Sequence, residues 1–178
     1  MHFKVQRGDK EVVNIFASHN FIVTNARYLG DPNATVISFG HNDSGNLGMV
    51  DYCTSNSTSA STHAADVEAW LLLTNTNSDE AKSIKRTLIP ADSKAVRDLA
   101  FSVMEDQDYA MFSGPFGVNS NSAAHAIANH FGDISDPSRR SSLGSGNADK
   151  IEFGYYVREN GCGSGLYYGE DLDSNPVF

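Results

Sequence analysis

The chain has 178 residues, of which 40% are apolar and 20% charged, the size and composition of a single folded domain with a substantial core. Its formal charge of −9 argues against nucleic acid or an anionic membrane surface as the main partner. Either would need a basic patch, and Arg139-Arg140 is the nearest approach to one. No apolar run reaches the roughly 18 residues of a spanning helix, and Met1 to Arg7 carries no signal-peptide core. The expectation is a chain without a transmembrane segment, cytoplasmic or exported without a classical leader.

In chain order, the first third reads as β-structure. Short β-branched or aromatic runs cover Phe3 to Val5, Val12 to Phe16, Phe21 to Thr24 and Thr35 to Phe39. Turn chemistry separates them at Gly8-Asp9, at residues 30–33 and at residues 42–46. Such close spacing predicts antiparallel hairpins, with a further strand from Gly48 to Tyr52. Residues 53–62 read as a polar exposed loop. Ala64 to Leu73 fits either a helix or a buried strand, because the run Trp70-Leu71-Leu72-Leu73 satisfies both periods. Asn77-Ser78 is expected to cap a helix from Asp79 to about Leu88, acidic at its start and basic at Lys85-Arg86, as the helix dipole favours. Asp92 or Ser93 caps a second helix to about Glu105, with Val96, Leu99, Ala100 and Val103 inward.

Tyr109 to Phe112 reads as extended and leads through Gly114-Pro115-Phe116-Gly117 into a third helix. Its apolar positions Ala123, Ala124, Ile127, Ala128 and Phe131 share one face, and Asn119 or Ser120 is its N-cap. Ser138 to Asn147 should be loop and Ile151 to Val157 a strand, with some strand at Leu166 to Tyr168 in a glycine-rich tail. There is no internal repeat and no linker. The expected architecture is one α+β domain over residues 1–178, an antiparallel sheet packed against a few helices.

Most chemical motifs fail on inspection. Cys53 and Cys162 are remote from each other and from any CxxC or zinc-finger spacing, which favours two thiols over a disulfide or a metal site. His125 and His130 miss the i, i+4 spacing of a helical zinc pair. Residues 170–175 lack the central glycine of a calcium loop, and Gly144-Ser145-Gly146 opens no helix. No P-loop or Gly-x-Ser-x-Gly elbow occurs, so no cofactor is implied.

What remains is Gly117-Val118-Asn119-Ser120-Asn121-Ser122, which delivers a serine to the start of an amphipathic helix. There, backbone N–H groups converge and the dipole favours a developing anion. A serine nucleophile needs a base, and among the histidines His19 stands out, at the lip of the strand Ser18-His19-Asn20-Phe21-Ile22-Val23. His41 would lie near the same sheet edge if the two strands form a hairpin. The competing reading is a non-catalytic binding domain that uses its Ser/Asn-rich loops, with Ser120 only a helix cap.

An early strand-borne histidine followed by an Asn119-Ser120-Asn121-Ser122 helix start resembles the circularly permuted papain-like families. The superfamily takes in NlpC/P60-like proteins as well as PPPDE deSUMOylase-like and lecithin:retinol acyltransferase-like ones, and in the last two such a histidine precedes an Asn-Cys-x-x-Phe helix bearing the nucleophile. The chain is also similar to bacterial domains with a His-x-Phe-x-Val strand and a Gly-Pro lead-in, here Phe112-Ser113-Gly114-Pro115. The resemblance implies a papain-like fold, Ser120 as nucleophile, His19 as base, and His41 or Ser38 as the orienting group. Asn119, Asn121 and first-turn N–H groups would then stabilise the oxyanion. The implied activity is hydrolysis or acyl transfer at an amide, peptide or ester carbonyl, on a peptide, isopeptide or lipid substrate, as in a bacterial effector or toxin. Two departures stand out: serine replaces the thiol, and Ala123-Ala124 stand where an aromatic is often found.

Overall fold

The computed structural model describes residues 3–9, 17–41, 45–50, 60–103, 107–110, 117–132, 145–157 and 166–168. The β-rich first third folds as expected into β1 (Phe3–Asp9), β2 (Ala17–Thr24), β3 (Thr35–His41) and β4 (Leu47–Val50). With β5 (Lys85–Leu88) they make a five-stranded sheet in the order β4-β3-β2-β1-β5, every pairing antiparallel. Helices follow as α1 (Ala60–Leu72), α2 (Asp79–Ser83), α3 (Ser93–Phe101) and α4 (Ser120–His130). The small hairpin of β6 (Tyr155–Val157) and β7 (Leu166–Tyr168) completes an α+β architecture. No helix among the described residues is long and apolar enough to cross a membrane.

The strands carry apolar side chains at successive positions because both faces of the sheet are covered. Phe3, Val5, Phe21, Val23 and Val36 pack with Ala69 and Trp70 of α1, with Leu73 just past its end and with Ala81 of α2. The alternate residues Ile22, Ile37 and Phe39 pack with Val96 and Ala100 of α3 and with Ala123, Ala124, Ile127 and Ala128 of α4. This is the period-2 alternation of strand side chains, used twice. Burying each such Val, Ile or Phe contributes about 1.5–3 kcal/mol.

Several expectations are corrected. Gly8-Asp9 is not a turn, since β1 continues through it opposite Ser18 and Ala17. The segment Ala64 to Leu72 is helical, and Asp66, Ala69 and Trp70, with Leu73 just past the helix end, are buried towards the sheet. The helix capped by Ser78 ends at Ser83 instead of Leu88, because residues 85–88 pair with Phe3–Gln6 of β1. Tertiary pairing outweighs helix propensity there, and the exposed Lys85 and Arg86 suit an edge strand. Helix α3 is capped by Asp92 and stops at Phe101, after which Val103 bridges to Phe153. The strand expected from Ile151 is confined to Tyr155–Val157. The polar loop expected over residues 53–62 is helical from Ala60, where α1 begins; its earlier part, the expected strand over Val12 to Phe16, Cys53, Cys162 and the Gly114-Pro115 lead-in lie outside the described residues.

The turn between β2 and β3 is organised by Asp31. Its carboxylate accepts from the Arg27 backbone N–H and Nε at 3.0 Å each and from the Asn33 N–H at 2.9 Å. Its carbonyl accepts the Trp70 indole N–H at 2.9 Å, which ties the turn to α1. The Arg27 guanidinium and these donors hold the Asp31 carboxyl well below the usual carboxylate range. A depressed native value adds stability that is complete above the ordinary value of 3.8 and is lost as pH falls below it. We expect Asp31→Asn to lower Tm at neutral pH. The gap from the parent protein should narrow as melting curves are recorded from about pH 5 towards about pH 2. A gap independent of pH would contradict this account.

Candidate active site

Helix α4 starts at Asn119, whose extended backbone (φ −150°, ψ −175°) turns its side chain over the first helical turn. The Asn119 Oδ1 accepts the N–H groups of Asn121 at 3.0 Å and Ser122 at 3.1 Å. The Ser122 Oγ in turn accepts the Asn119 N–H at 3.2 Å, closing a reciprocal capping box. Asn119 is therefore the cap. Ser120 is the first helical residue, and its hydroxyl is not needed for capping.

That hydroxyl meets His19 instead, with Ser120 Oγ 3.0 Å from His19 Nδ1. The other ring nitrogen, Nε2, lies 3.0 Å from Asp66 Oδ2 on α1. An ionised carboxylate can only accept, so Nε2 carries the ring proton and Nδ1 turns its lone pair to the Ser120 O–H. Relative exposures of 0% for Asp66, 7% for His19 and 4% for Ser120 set this chain of contacts in a low-dielectric interior. A carboxylate so fully buried needs a partner, and the imidazole provides one.

The next residue along on each element fixes the register. Asn121 Oδ1 accepts the Asn20 backbone N–H at 2.8 Å and the Asn20 Nδ2 at 3.0 Å. Strand β3 pairs with β2 only over Thr35–Ile37, and from Ser38 to His41 it pairs with β4. Just beyond the last β2–β3 pair, Ile22↔Ile37, the Asn121 side chain supplies an acceptor to β2. Helix α4 is thus fastened to β2 one residue from the His19–Ser120 contact.

The expected site residues divide accordingly. His19 and Ser120 are brought together, although His19 lies inside β2 and is buried, not at an exposed strand lip. His41 does not orient the His19 ring, because Asp66 stands at Nε2; His41 packs edge-on to Tyr109 with ring centroids 5.8 Å apart. Ser38 turns its hydroxyl to His63 Nδ1 at 3.1 Å. Asn119 and Asn121 act through their side-chain oxygens as acceptors, and the Asn121 N–H is spent on the cap, so neither supplies the expected oxyanion contact by those groups. His125, on α4, faces the buried Lys4 amine at 3.5 Å.

Asp66 was missed, though a signal existed. It falls four residues before Trp70 on the buried stripe of α1, and a carboxylate on an apolar stripe calls for a partner. Leaving helix or strand open over Ala64 to Leu73 hid that stripe. Among the described residues no group of three or more His, Cys, Asp or Glu is placed to hold a metal ion. Compared with protein families, curated proteins and solved structures, the chain matches none.

Proposed function

We propose that this protein is a serine hydrolase or acyltransferase acting on an ester, amide or peptide carbonyl. The observation that carries the reading is the continuous Ser120–His19–Asp66 hydrogen-bonded chain, with 3.0 Å at both contacts. Sequence-remote elements (β2, α1 and α4) converge on it, and the serine is released from the capping role that the alternative reading assigns to it.

In this mechanism Ser120 Oγ attacks the carbonyl carbon while its proton passes to His19 Nδ1. Asp66 stabilises the imidazolium so formed and keeps the ring in register. The tetrahedral oxyanion collapses with transfer of the Nδ1 proton to the leaving amine or alkoxide, leaving an acyl group on Ser120. Water, or an acceptor alcohol or amine, then gives its proton to Nδ1 as it attacks the acyl carbon; the bond from that carbon to Ser120 Oγ breaks as Nδ1 returns the proton to Oγ, and the serine is regenerated. A papain-like layout, with the nucleophile at the start of a helix packed on a histidine-bearing strand, belongs to the same proposal.

The test is labelling by an alkyl fluorophosphonate followed by peptide mass mapping. The expected result is one stoichiometric adduct on Ser120 in native protein, absent after heat denaturation. Native protein that remains unlabelled at Ser120 would favour a binding module and sink the hydrolase reading.

A further inference from the structure

The Ser120–His19–Asp66 chain draws its carboxylate from α1, yet the strand that α1 runs closest to is β3, whereas His19 belongs to β2. Strands β2 and β3 share a ladder only from Thr24↔Thr35 to Ile22↔Ile37. Had that register continued, Ser38 would stand opposite Phe21 and Gly40 opposite His19. At the level of His19 no backbone pairing between the two strands fixes their separation. The contact between Asp66 and His19 therefore depends on what ties α1 to each of them.

Helix α1 is held by polar side chains on one stripe, His63, Asp66 and Trp70, at the i, i+3, i+7 spacing of a single helical face. Trp70 donates its indole N–H to the Asp31 carbonyl at 2.9 Å, in the turn between β2 and β3. Asp66 meets His19 Nε2 on β2 at 3.0 Å. One turn earlier, His63 Nδ1 lies 3.1 Å from Ser38 Oγ on β3. Ser38 is fully buried and is the first β3 residue past the ladder with β2. Its neighbours Ile37 and Phe39 face α4, so strand alternation turns the Ser38 hydroxyl towards α1. A hydroxyl can donate to a bare Nδ1 or accept from a protonated one, so this tie survives either charge state of the half-buried His63 ring.

We propose that Ser38 and His63 are positioning residues for the reaction at Ser120: their hydrogen bond seats the first turns of α1 on β3 and so holds Asp66 at His19 Nε2. This rests on the serine-hydrolase reading. The pair acts through Asp66 and takes no part in making or breaking bonds. The Asp66 carboxylate must meet one nitrogen of a ring whose own place is set by β2, and a misplacement of about 1 Å in such a constellation costs up to about 10²-fold in rate. Without the Ser38–His63 bond, α1 stays pinned at Trp70, and the half of the helix that carries Asp66 can pivot about that point.

The experiment combines fluorophosphonate labelling of Ser120 with proton NMR on the full chain, in the parent, Ser38→Ala, His63→Leu and His63→Asn. Ser38→Ala removes a single oxygen and leaves the half-buried His63 ring to water, so the fold is kept. His63→Asn retains a hydrogen-bonding atom where Nδ1 stood. We expect kinact to fall by about 10- to 100-fold in Ser38→Ala and His63→Leu, with KI unchanged, and to stay near the parent value in His63→Asn. In an Asp66→Asn background Ser38→Ala should have no further effect, because the pair acts through that carboxylate. The imidazole N–H held by Asp66 gives a proton resonance far downfield of the backbone amides. It should persist in His63→Asn and move upfield or vanish in Ser38→Ala. Parent-like labelling of both Ser38→Ala and His63→Leu, or an undiminished loss in the Asp66→Asn background, would overturn the proposal. A parent protein that leaves Ser120 unlabelled would overturn the hydrolase reading itself, and the downfield resonance would still decide whether Ser38 and His63 hold Asp66 on His19.

Discussion

Asp66→Asn is expected to reduce the fluorophosphonate labelling rate of Ser120 by roughly 10³–10⁴ while leaving Tm close to that of the parent protein. The substitution preserves size and shape at a position with 0% exposure, so packing against β2 survives. What changes is the hydrogen-bond polarity at His19 Nε2, now 3.0 Å from a carboxylate oxygen. A carboxylate requires a proton on Nε2. A carboxamide can turn its NH₂ there, which favours the tautomer with the proton on Nδ1, and Nδ1–H cannot accept the Ser120 proton. The loss should fall on kinact and spare KI, because Asp66 lies beyond the imidazole from the serine. Parent-like labelling would make the buried carboxylate a structural partner of His19 and nothing more.

How much of this was legible in the sequence depends on whether the deciding interaction was local. The α4 start was readable because a cap, a first turn and an apolar face all lie within Asn119 to Phe131. His19 could be selected as a base because a histidine at the lip of a strand can be held rigid, although the structure buries it inside β2. The wrong readings share a cause. Lys85-Arg86 looked like a helix end until β1, more than seventy residues earlier in the chain, claimed the segment as a strand. His41 seemed near His19 because β2 and β3 are neighbours, but β3 leaves β2 after Ile37 and moves to β4, and α4 docks beside the gap. Asp66 comes from α1, on the opposite face of the sheet from most of α4. Only the three-dimensional arrangement shows that a strand end lets the two layers meet at His19.

His19→Ala should show that the three side chains act as one unit. Removing the base leaves the Ser120 hydroxyl with no acceptor for its proton, and labelling is expected to fall by about 10⁵–10⁶, near the floor of detection. The same change deprives the buried Asp66 carboxylate of its imidazole hydrogen bond, at a cost of about 1.5–3 kcal/mol. Adding Asp66→Asn in the His19→Ala background then separates the two roles of the carboxylate. If Asp66 acts on the reaction only through the imidazole, the second substitution has no further effect on rate, in contrast to its large effect alone. It should, however, recover stability, because a neutral amide replaces a carboxylate that has lost its imidazole partner in a fully buried place. In that background the melting temperature therefore rises while the labelling rate stays unchanged. Additive losses in labelling from the two changes would instead place Asp66 in direct contact with the reacting group, which the 3.0 Å contacts through His19 do not favour.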